Sequence, residues 1–144
     1  MSNRTPTLIL GTLVLSTCTF LSGCNKGQTR SVSFVQPLNG TEVESPFKVE
    51  MKAENLIVEP ASEGVTDGHG HFHIIIDSPI PGSTSPIPKD SMHIHYGQGQ
   101  KEALLDLPAG EHTLILQFAK GDHIPYEPQI SQEIKITVKA QSAK

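Results

Sequence analysis

The sequence predicts an all-β protein, specifically an immunoglobulin-like β-sandwich of about seven or eight strands. Residues 47–53 alternate apolar and charged side chains, the period of a half-buried strand. Turn-forming residues such as those of the Pro-Leu-Asn-Gly run at 37–40 separate the apolar segments, and no segment carries a helical period. Because these strands share roughly 110 residues, two packed antiparallel sheets are the expected architecture.

The strand segments are short and follow one another at intervals typical of a sandwich. Two longer connections are expected to be loops: residues 59–70 hold one proline and three glycines, and residues 78–91 hold four prolines. Residues 107–114 have the outline of the corner that enters a penultimate immunoglobulin strand, with His112 in the usual place of a tyrosine. Strands are expected over residues 31–35, 47–53, 56–58, 71–76, 92–96, 102–107, 112–118 and 130–138.

The amino-terminal 24 residues are organised like an export signal. A positively charged start is followed by an uncharged, mostly apolar run over residues 7–21. This run is shorter than the roughly 20 apolar residues of a membrane-spanning helix and is typical of a secretory signal. The sequence Leu-Ser-Gly-Cys that ends at Cys24 resembles the lipobox of bacterial lipoproteins. That resemblance implies cleavage before Cys24 and lipidation of Cys24; an ordinary signal peptide with a chance cysteine is the alternative.

We therefore expect a protein of the cell envelope that reaches the membrane through lipid on Cys24. Asn25 follows the cysteine, where an aspartate would resemble an inner-membrane retention signal. Asn25 thus favours the outer membrane, with the domain facing the periplasm, if the host is Gram-negative. The expected parts are a signal peptide (1–23), a lipidated tether (24–30), a histidine-rich β-sandwich domain (31–139) and a polar tail (140–144).

The cysteine content, net charge and aromatic content of the mature domain argue against several classes of ligand and partner. Cys18 lies within the signal and Cys24 would carry lipid, which leaves neither a disulfide nor a thiolate metal site in the domain. Loss of Arg4 with the signal changes the net charge from −4 to −5. Mild acidity without a basic patch argues against nucleic acid as a partner. The absence of tryptophan and the few aromatic residues weaken a carbohydrate-binding role.

Histidines carry the main functional hint. Five of the seven lie at alternate positions in two short runs, Gly-His-Gly-His-Phe-His over 68–73 and Met-His-Ile-His-Tyr over 92–96. In an extended strand, side chains at i and i+2 project from the same face, so each run aligns two imidazoles. Neutral imidazole binds copper, zinc and nickel. The pattern predicts a divalent-metal site formed by His71, His73, His93 and His95, with His123 as a lesser candidate.

Copper(II) or zinc(II) is the expected ion, because the domain lies outside the cytoplasm and offers no thiolate. Met51 and Met92 could offer a thioether to copper(I), but single methionines are more often core filler. The alternative is that the histidines orient loops through hydrogen bonds to backbone and water. His112 is expected to form hydrogen bonds at the corner, and His69 to be a solvated loop residue.

Most of the mature chain resembles a family of small exported bacterial domains of unknown function, from about residue 32 to residue 138. Members often have a third histidine where Phe72 stands and a histidine where Tyr126 stands, whereas His69 has no expected counterpart. The family brings no established activity, so the resemblance implies only the extent of the domain and the histidine positions. The matching motifs occupy residues 35–43, 71–77, 86–88, 93–97, 107–114 and 121–125.

Catalysis is not expected. The His-Phe-His run at 71–73 is similar to the copper strand of copper/zinc superoxide dismutases, but the zinc loop, the disulfide and the guiding arginine of those enzymes have no equivalent here. A serine nucleophile elbow of the form Gly-x-Ser-x-Gly is also missing from the sequence. The alternative to metal binding is an envelope interaction module that binds a protein or glycan through its exposed loops.

Overall fold

The computed structural model describes residues 28–140, which form an all-β sandwich of two sheets. The expected signal peptide, Cys24 (the expected lipidation site) and residues 141–144 of the expected tail lie outside the described residues. Among residues 28–140 no helix is long and apolar enough to cross a membrane. The strands are β1 (Ser31–Gln36), β2 (Thr41–Val43), β3 (Phe47–Glu54), β4 (Ile57–Val58), β5 (His69–Ile76), β6 (His93–Tyr96), β7 (Glu102–Leu105), β8 (Gly110–Ala119) and β9 (Ser131–Val138).

The two sheets differ in size. The smaller sheet has the order β1-β3-β7, and the larger has the order β2-β9-β8-β5. The edge of β5 opposite β8 pairs with two short strands. β4 pairs with the first two residues of β5, and β6 pairs with the residues that follow. β5 therefore has hydrogen-bonded neighbours on both edges, which places it in the interior of the larger sheet.

The hydrophobic core lies between the sheets and follows from alternation along the strands. On β3, Phe47, Val49 and Met51 are buried, while Lys48 and Lys52 at the alternate positions are exposed. The larger sheet contributes alternate residues of β5, β8 and β9 to the same core cluster. These facing residues include Phe72, Ile74, Ile76, Leu114, Leu116, Phe118, Ile134 and Ile136.

The predicted β-sandwich is confirmed, with nine strands in the described part of the chain. The additional strand is β2, whose three residues pair in parallel with β9. Such a short strand is specified by a distant partner, so its own residues carry little local signal. β5 also begins at His69, two residues earlier than expected, because β4 pairs with His69 and Gly70. The immunoglobulin-like type stays a prediction.

The corner before β8 contains the expected hydrogen bonds of His112. Its Nε2 donates to the carbonyl oxygen of Pro108 at 2.9 Å, and its Nδ1 lies 2.6 Å from Oδ2 of Asp77. Burial opposes a charge on this ring, but the hydrogen bonds with Asp77 and Pro108 outweigh burial and raise the pKa of His112. His112 therefore ties the corner to the end of β5.

Candidate metal centre

Four histidines converge at one point on the outer face of the larger sheet. His71 and His73 come from β5, His95 from β6, and His123 from the loop after β8. One nitrogen of each ring lies within 4.8 Å of the other three. Nε2 of His71 lies 3.0 Å from Nε2 of His73, 3.2 Å from Nε2 of His95 and 3.0 Å from Nδ1 of His123. We call these four residues the histidine cluster.

Strand register places three of the rings together. Phe72 and Ile74 face the core, so His71 and His73 at the alternate positions face the outer side of the sheet. His73 pairs directly with His95 across the antiparallel β5–β6 ladder, which puts both rings on that side. The ring of His95 leans towards Gly97, just after β6, where a Cβ atom would clash with the ring. Glycine at position 97 therefore leaves room for the ring.

His123 reaches the cluster through a tight turn. Its backbone N–H donates to the carbonyl oxygen of Lys120 at 2.8 Å, and its own φ is 64°. Few side chains adopt this left-handed conformation, and such residues are concentrated at functional sites. The carbonyl oxygen of His123 accepts a hydrogen bond from the N–H of Ile87, which belongs to the proline-containing loop over 78–91. That loop and the turn after β8 are thus held together beside the cluster.

Burial differs between the two halves of the cluster. His71 and His73 are 0% and 2% exposed, although they lie on the face opposite the core. His95 and His123 are only half-buried. The cluster thus has a fully buried floor formed by β5 and a less buried side formed by the rings of His95 and His123.

The nitrogens cannot satisfy one another by hydrogen bonding. Nε2 of a neutral imidazole carries either one proton or one lone pair, so it takes part in one good hydrogen bond. Nε2 of His71 has three imidazole nitrogens within 3.2 Å and can satisfy at most one of them. A cation at the centre would accept lone pairs from all four rings at once, which is how imidazoles bind a transition metal.

The protonation state of the buried rings suits a ligand role. Burial lowers the pKa of His71 to about 4, and the neighbouring rings of His95 and His123 add to the effect. Burial likewise lowers the pKa of His73 to about 2, with further contributions from the other rings of the cluster and from His93. Burial also lowers the pKa of His95. These three imidazoles are therefore neutral at neutral pH, the form that binds metal.

The other sequence candidates lie apart from the cluster. His93 was expected among the four main ligands, but its Nδ1 lies 2.8 Å from Oδ1 of Asp90 and the ring is not part of the converging group. The turn that leads into β6 supplies this carboxylate, so the partner of His93 is local. His69 was expected to be solvated, but it lies in β5 with Nδ1 2.8 Å from Oε2 of Glu59. His123, the lesser candidate, is a full member of the cluster.

Several polar atoms near the cluster are buried without a hydrogen-bond partner among the described residues. These atoms are Nδ1 of His71, Nδ1 of His73 and Oε1 of Gln117. Gln117 lies on β8 directly opposite His73 of β5, so the two side chains share the outer face. Alternation along β8 could have placed Gln117 on this face, but its burial depends on packing that the sequence does not reveal.

The family to which the chain belongs is described as "Domain of unknown function (DUF4399)", whose model matches residues 49–139. The resemblance inferred from the motifs is thereby confirmed, and the matched region contains the whole histidine cluster. A comparison with curated proteins finds none that matches the chain. Among solved structures, an endo-beta-1,4-mannanase from Thermotoga petrophila is similar at 17% sequence identity with a TM-score of 0.48. The similarity covers 81% of this chain and 21% of that chain.

The depressed pKa values predict that the metal-free domain loses stability on acidification. Below pH 6.5 the unfolded chain protonates His71 and His73, whereas the folded chain keeps them neutral until the pH approaches about 4 and about 2. The contribution of these two histidines to the free energy of unfolding should therefore be complete above pH 6.5 and should decrease as the pH falls below 6.5. The slope is up to about 1.4 kcal/mol per pH unit for each proton. Urea unfolding in chelator between pH 7.5 and pH 5 measures this slope.

The matched control is His73→Leu, which replaces one of the buried titrating imidazoles with an apolar side chain. Its stability profile should be flatter than that of the unchanged domain by the contribution of one proton. The comparison also cancels the opposite contribution of His112, whose raised pKa adds stability as the pH falls. Two parallel profiles would contradict the burial-driven depression of the pKa of His73.

Proposed function

We propose that this protein is an exported lipoprotein, anchored in the cell envelope through Cys24, whose domain binds a divalent transition metal, copper or zinc. The ligands are His71, His73, His95 and His123. This set replaces His93 of the sequence-based expectation by His123, because the ring of His93 is taken up by Asp90. The membrane partner is the lipid bilayer, reached through the lipidated tether.

One observation carries the metal-binding proposal: three imidazole nitrogens lie within 3.2 Å of Nε2 of His71. A purely structural role for histidine requires a partner for each buried nitrogen. Here the rings face one another instead, and leaving a buried polar group unsatisfied costs about 1–3 kcal/mol. A bound cation removes that cost at a single point, which is why the geometry favours metal binding over a hydrogen-bonded histidine core.

The proposed location in the cell envelope is supported by the amino-terminal sequence, not by the histidine cluster. The signal-like run at residues 7–21 and the lipobox-like sequence ending at Cys24 support export and lipidation. The domain has no cysteine, so its only sulfur ligands would come from methionine, and Met51 is buried in the hydrophobic core. An all-imidazole site needs no reducing compartment, which agrees with a protein outside the cytoplasm.

We expect the tag-free mature domain to bind Cu²⁺ or Zn²⁺ with a dissociation constant below about 10 μM, equivalent to roughly 7 kcal/mol. The double variant His71→Ala/His73→Ala should lose this binding, and His95→Ala should weaken it by at least about tenfold, because each removes ligands from the same point. Metal analysis and calorimetry measure both quantities. A polyhistidine tag must be absent, since it would bind the same ions.

His93→Ala is the matched control. Like His95, His93 lies on β6, but its ring lies outside the histidine cluster. The variant should retain the affinity of the unchanged domain within about threefold, a difference of less than about 0.7 kcal/mol. If it loses as much affinity as His95→Ala, the ligand set expected from the sequence is the right one. Failure of the intact domain to bind either ion, together with retention of an envelope protein or glycan in chelator, would favour an interaction module.

For the anchor, we expect Cys24→Ser to abolish fatty-acid incorporation and to leave the precursor unprocessed by the lipoprotein signal peptidase. The cysteine sulfur is the atom that would carry the lipid, and a serine hydroxyl at the same position does not replace it in a lipobox. Radiolabelled palmitate and the mobility of the precursor on a gel are the measurements. Cys18→Ser is the control, since Cys18 lies inside the apolar run and should be replaceable. Normal processing of Cys24→Ser would indicate an ordinary signal peptide.

A further inference from the structure

The arrangement of the rings points to one ion and one coordination geometry. We propose that the histidine cluster is a closed tetrahedral site for Zn²⁺, with no coordination position left for water or substrate. This inference rests on the proposed metal-binding function and deepens it. It distinguishes an ion-holding site from a catalytic one, since catalytic zinc keeps a position open beside three protein ligands.

The ring positions are those of a slightly flattened tetrahedron. The six centroid separations among the four rings run from 4.6 to 5.9 Å. A square arrangement, typical of Cu²⁺, would make two opposite separations longer than the sides by a factor of about 1.4. The only long separation is that between His73 and His123 at 5.9 Å, while its opposite pair, His71 and His95, is 4.9 Å apart.

The nitrogen separations measured from His71 argue against a square plane. Nε2 of His71 is nearly equidistant from the other three nitrogens, at 3.0, 3.2 and 3.0 Å. In a square plane one of these three distances would cross the diagonal and reach about 4 Å. With Zn–N bonds of about 2.0–2.1 Å, the edge of a regular tetrahedron is about 3.3–3.4 Å. These three separations lie slightly inside that edge, while all four ligand nitrogens lie within 4.8 Å of one another, so small movements of the rings would bring the four nitrogens onto one ion.

The fold resists rearrangement to another geometry. His71 and His73 lie on β5, which is hydrogen-bonded to β8 on one edge and to β6 along the other. The ring of His95 occupies the space that Gly97 leaves, and the backbone of His123 is fixed by its turn. Zn²⁺ has no geometric preference from its d electrons, so it accepts this arrangement, whereas Cu²⁺ prefers a tetragonal one.

Burial supports a closed site. The two fully buried rings, His71 and His73, form the floor, and the half-buried rings of His95 and His123 close the side nearest to solvent. Four protein nitrogens complete the usual coordination number of structural zinc. The ion would enter between His95 and His123 and would then be shielded by those same rings.

Cobalt(II) is the probe, because its visible absorption is intense in a tetrahedral site and weak in an octahedral one. The mature protein loaded with Co²⁺ should show intense bands that azide does not change and that one equivalent of Zn²⁺ removes. His123→Gly should make the Co²⁺ spectrum azide-sensitive, because it opens one position, while glycine tolerates the left-handed φ of 64°. Circular dichroism checks that the variant is folded.

The outcomes separate this inference from the proposed function. Weak, octahedral-type absorption, or azide-sensitive bands in the unchanged protein, would overturn the closed tetrahedral site while leaving metal binding intact. A Cu²⁺ complex with the electron paramagnetic resonance spectrum of a regular square plane would overturn the geometry in the same way. Absence of binding by Co²⁺, Zn²⁺ and Cu²⁺ would overturn both the inference and the proposed function.

A separate observation assigns a role to Gln117. Nδ1 of His73 and Oε1 of Gln117 are both buried without partners, and the two residues face each other across the β5–β8 ladder. When Nε2 of a neutral His73 gives its lone pair to an ion, the ring proton is on Nδ1 and needs an acceptor. We infer that Gln117 is a positioning residue whose amide oxygen accepts a hydrogen bond from this Nδ1–H in the metal-bound protein. Such outer partners fix the orientation of a ligand ring.

Gln117→Met keeps the length of the side chain and removes the acceptor, whereas Gln117→Glu keeps an acceptor. We expect Gln117→Met to weaken Zn²⁺ binding by about 10–100-fold. The unfolding midpoint of the metal-free protein should stay the same or rise, because an unpaired buried oxygen has been removed. Gln117→Glu should bind Zn²⁺ more tightly than Gln117→Met. Unchanged affinity of Gln117→Met in calorimetry would overturn the positioning role.

Discussion

The geometry of the domain depends on the register in which β5 lies between β8 and β6. Phe72 pairs with Phe118 on one side and with Tyr96 on the other, and His73 pairs with Gln117 and His95. Because side chains alternate with a period of two, a slip of one residue would turn His71 and His73 into the core and Phe72 out of it. The same register therefore fixes the apolar core on one face of the strand and the converging imidazoles on the other.

The two faces of β5 have opposite energetic roles. The inner face contributes fully buried residues such as Phe72 and Ile74, whose burial stabilises each side chain by about 1.5–3 kcal/mol. The outer face buries two imidazoles whose Nε2 atoms lie 3.0 Å apart and whose Nδ1 atoms lack partners, which is unfavourable. The left-handed backbone at His123 adds strain beside the same cluster. Polar groups left unpaired in an otherwise well-packed sheet are typical of a site kept for function rather than for stability.

The histidine cluster also combines elements with different degrees of constraint. β5 and β6 form a regular ladder, whereas His123 lies on a turn that is joined to the proline-containing loop by one backbone hydrogen bond, Ile87 N–H to His123 C=O. Function placed on loops around a rigid sandwich is common, because loops vary without disturbing the core. Here the sheet supplies three rings and a loop the fourth, so the loop completes the arrangement that the sheet begins.

Local sequence pattern was sufficient for eight of the nine described strands and for the shared face of His71 and His73, because alternation acts between neighbours along one strand. It also placed His95 on the matching face of β6. The sequence pattern did not show that His123, and not His93, lies in the histidine cluster. The ring of His93 lies beside Asp90 in a local turn, whereas His123 lies in the loop after β8. The strand β2, the room that Gly97 gives His95 and the burial of Gln117 were equally hidden. Each of these depends on contacts between distant segments, which form only when the sheets assemble, and only the tertiary structure decides them.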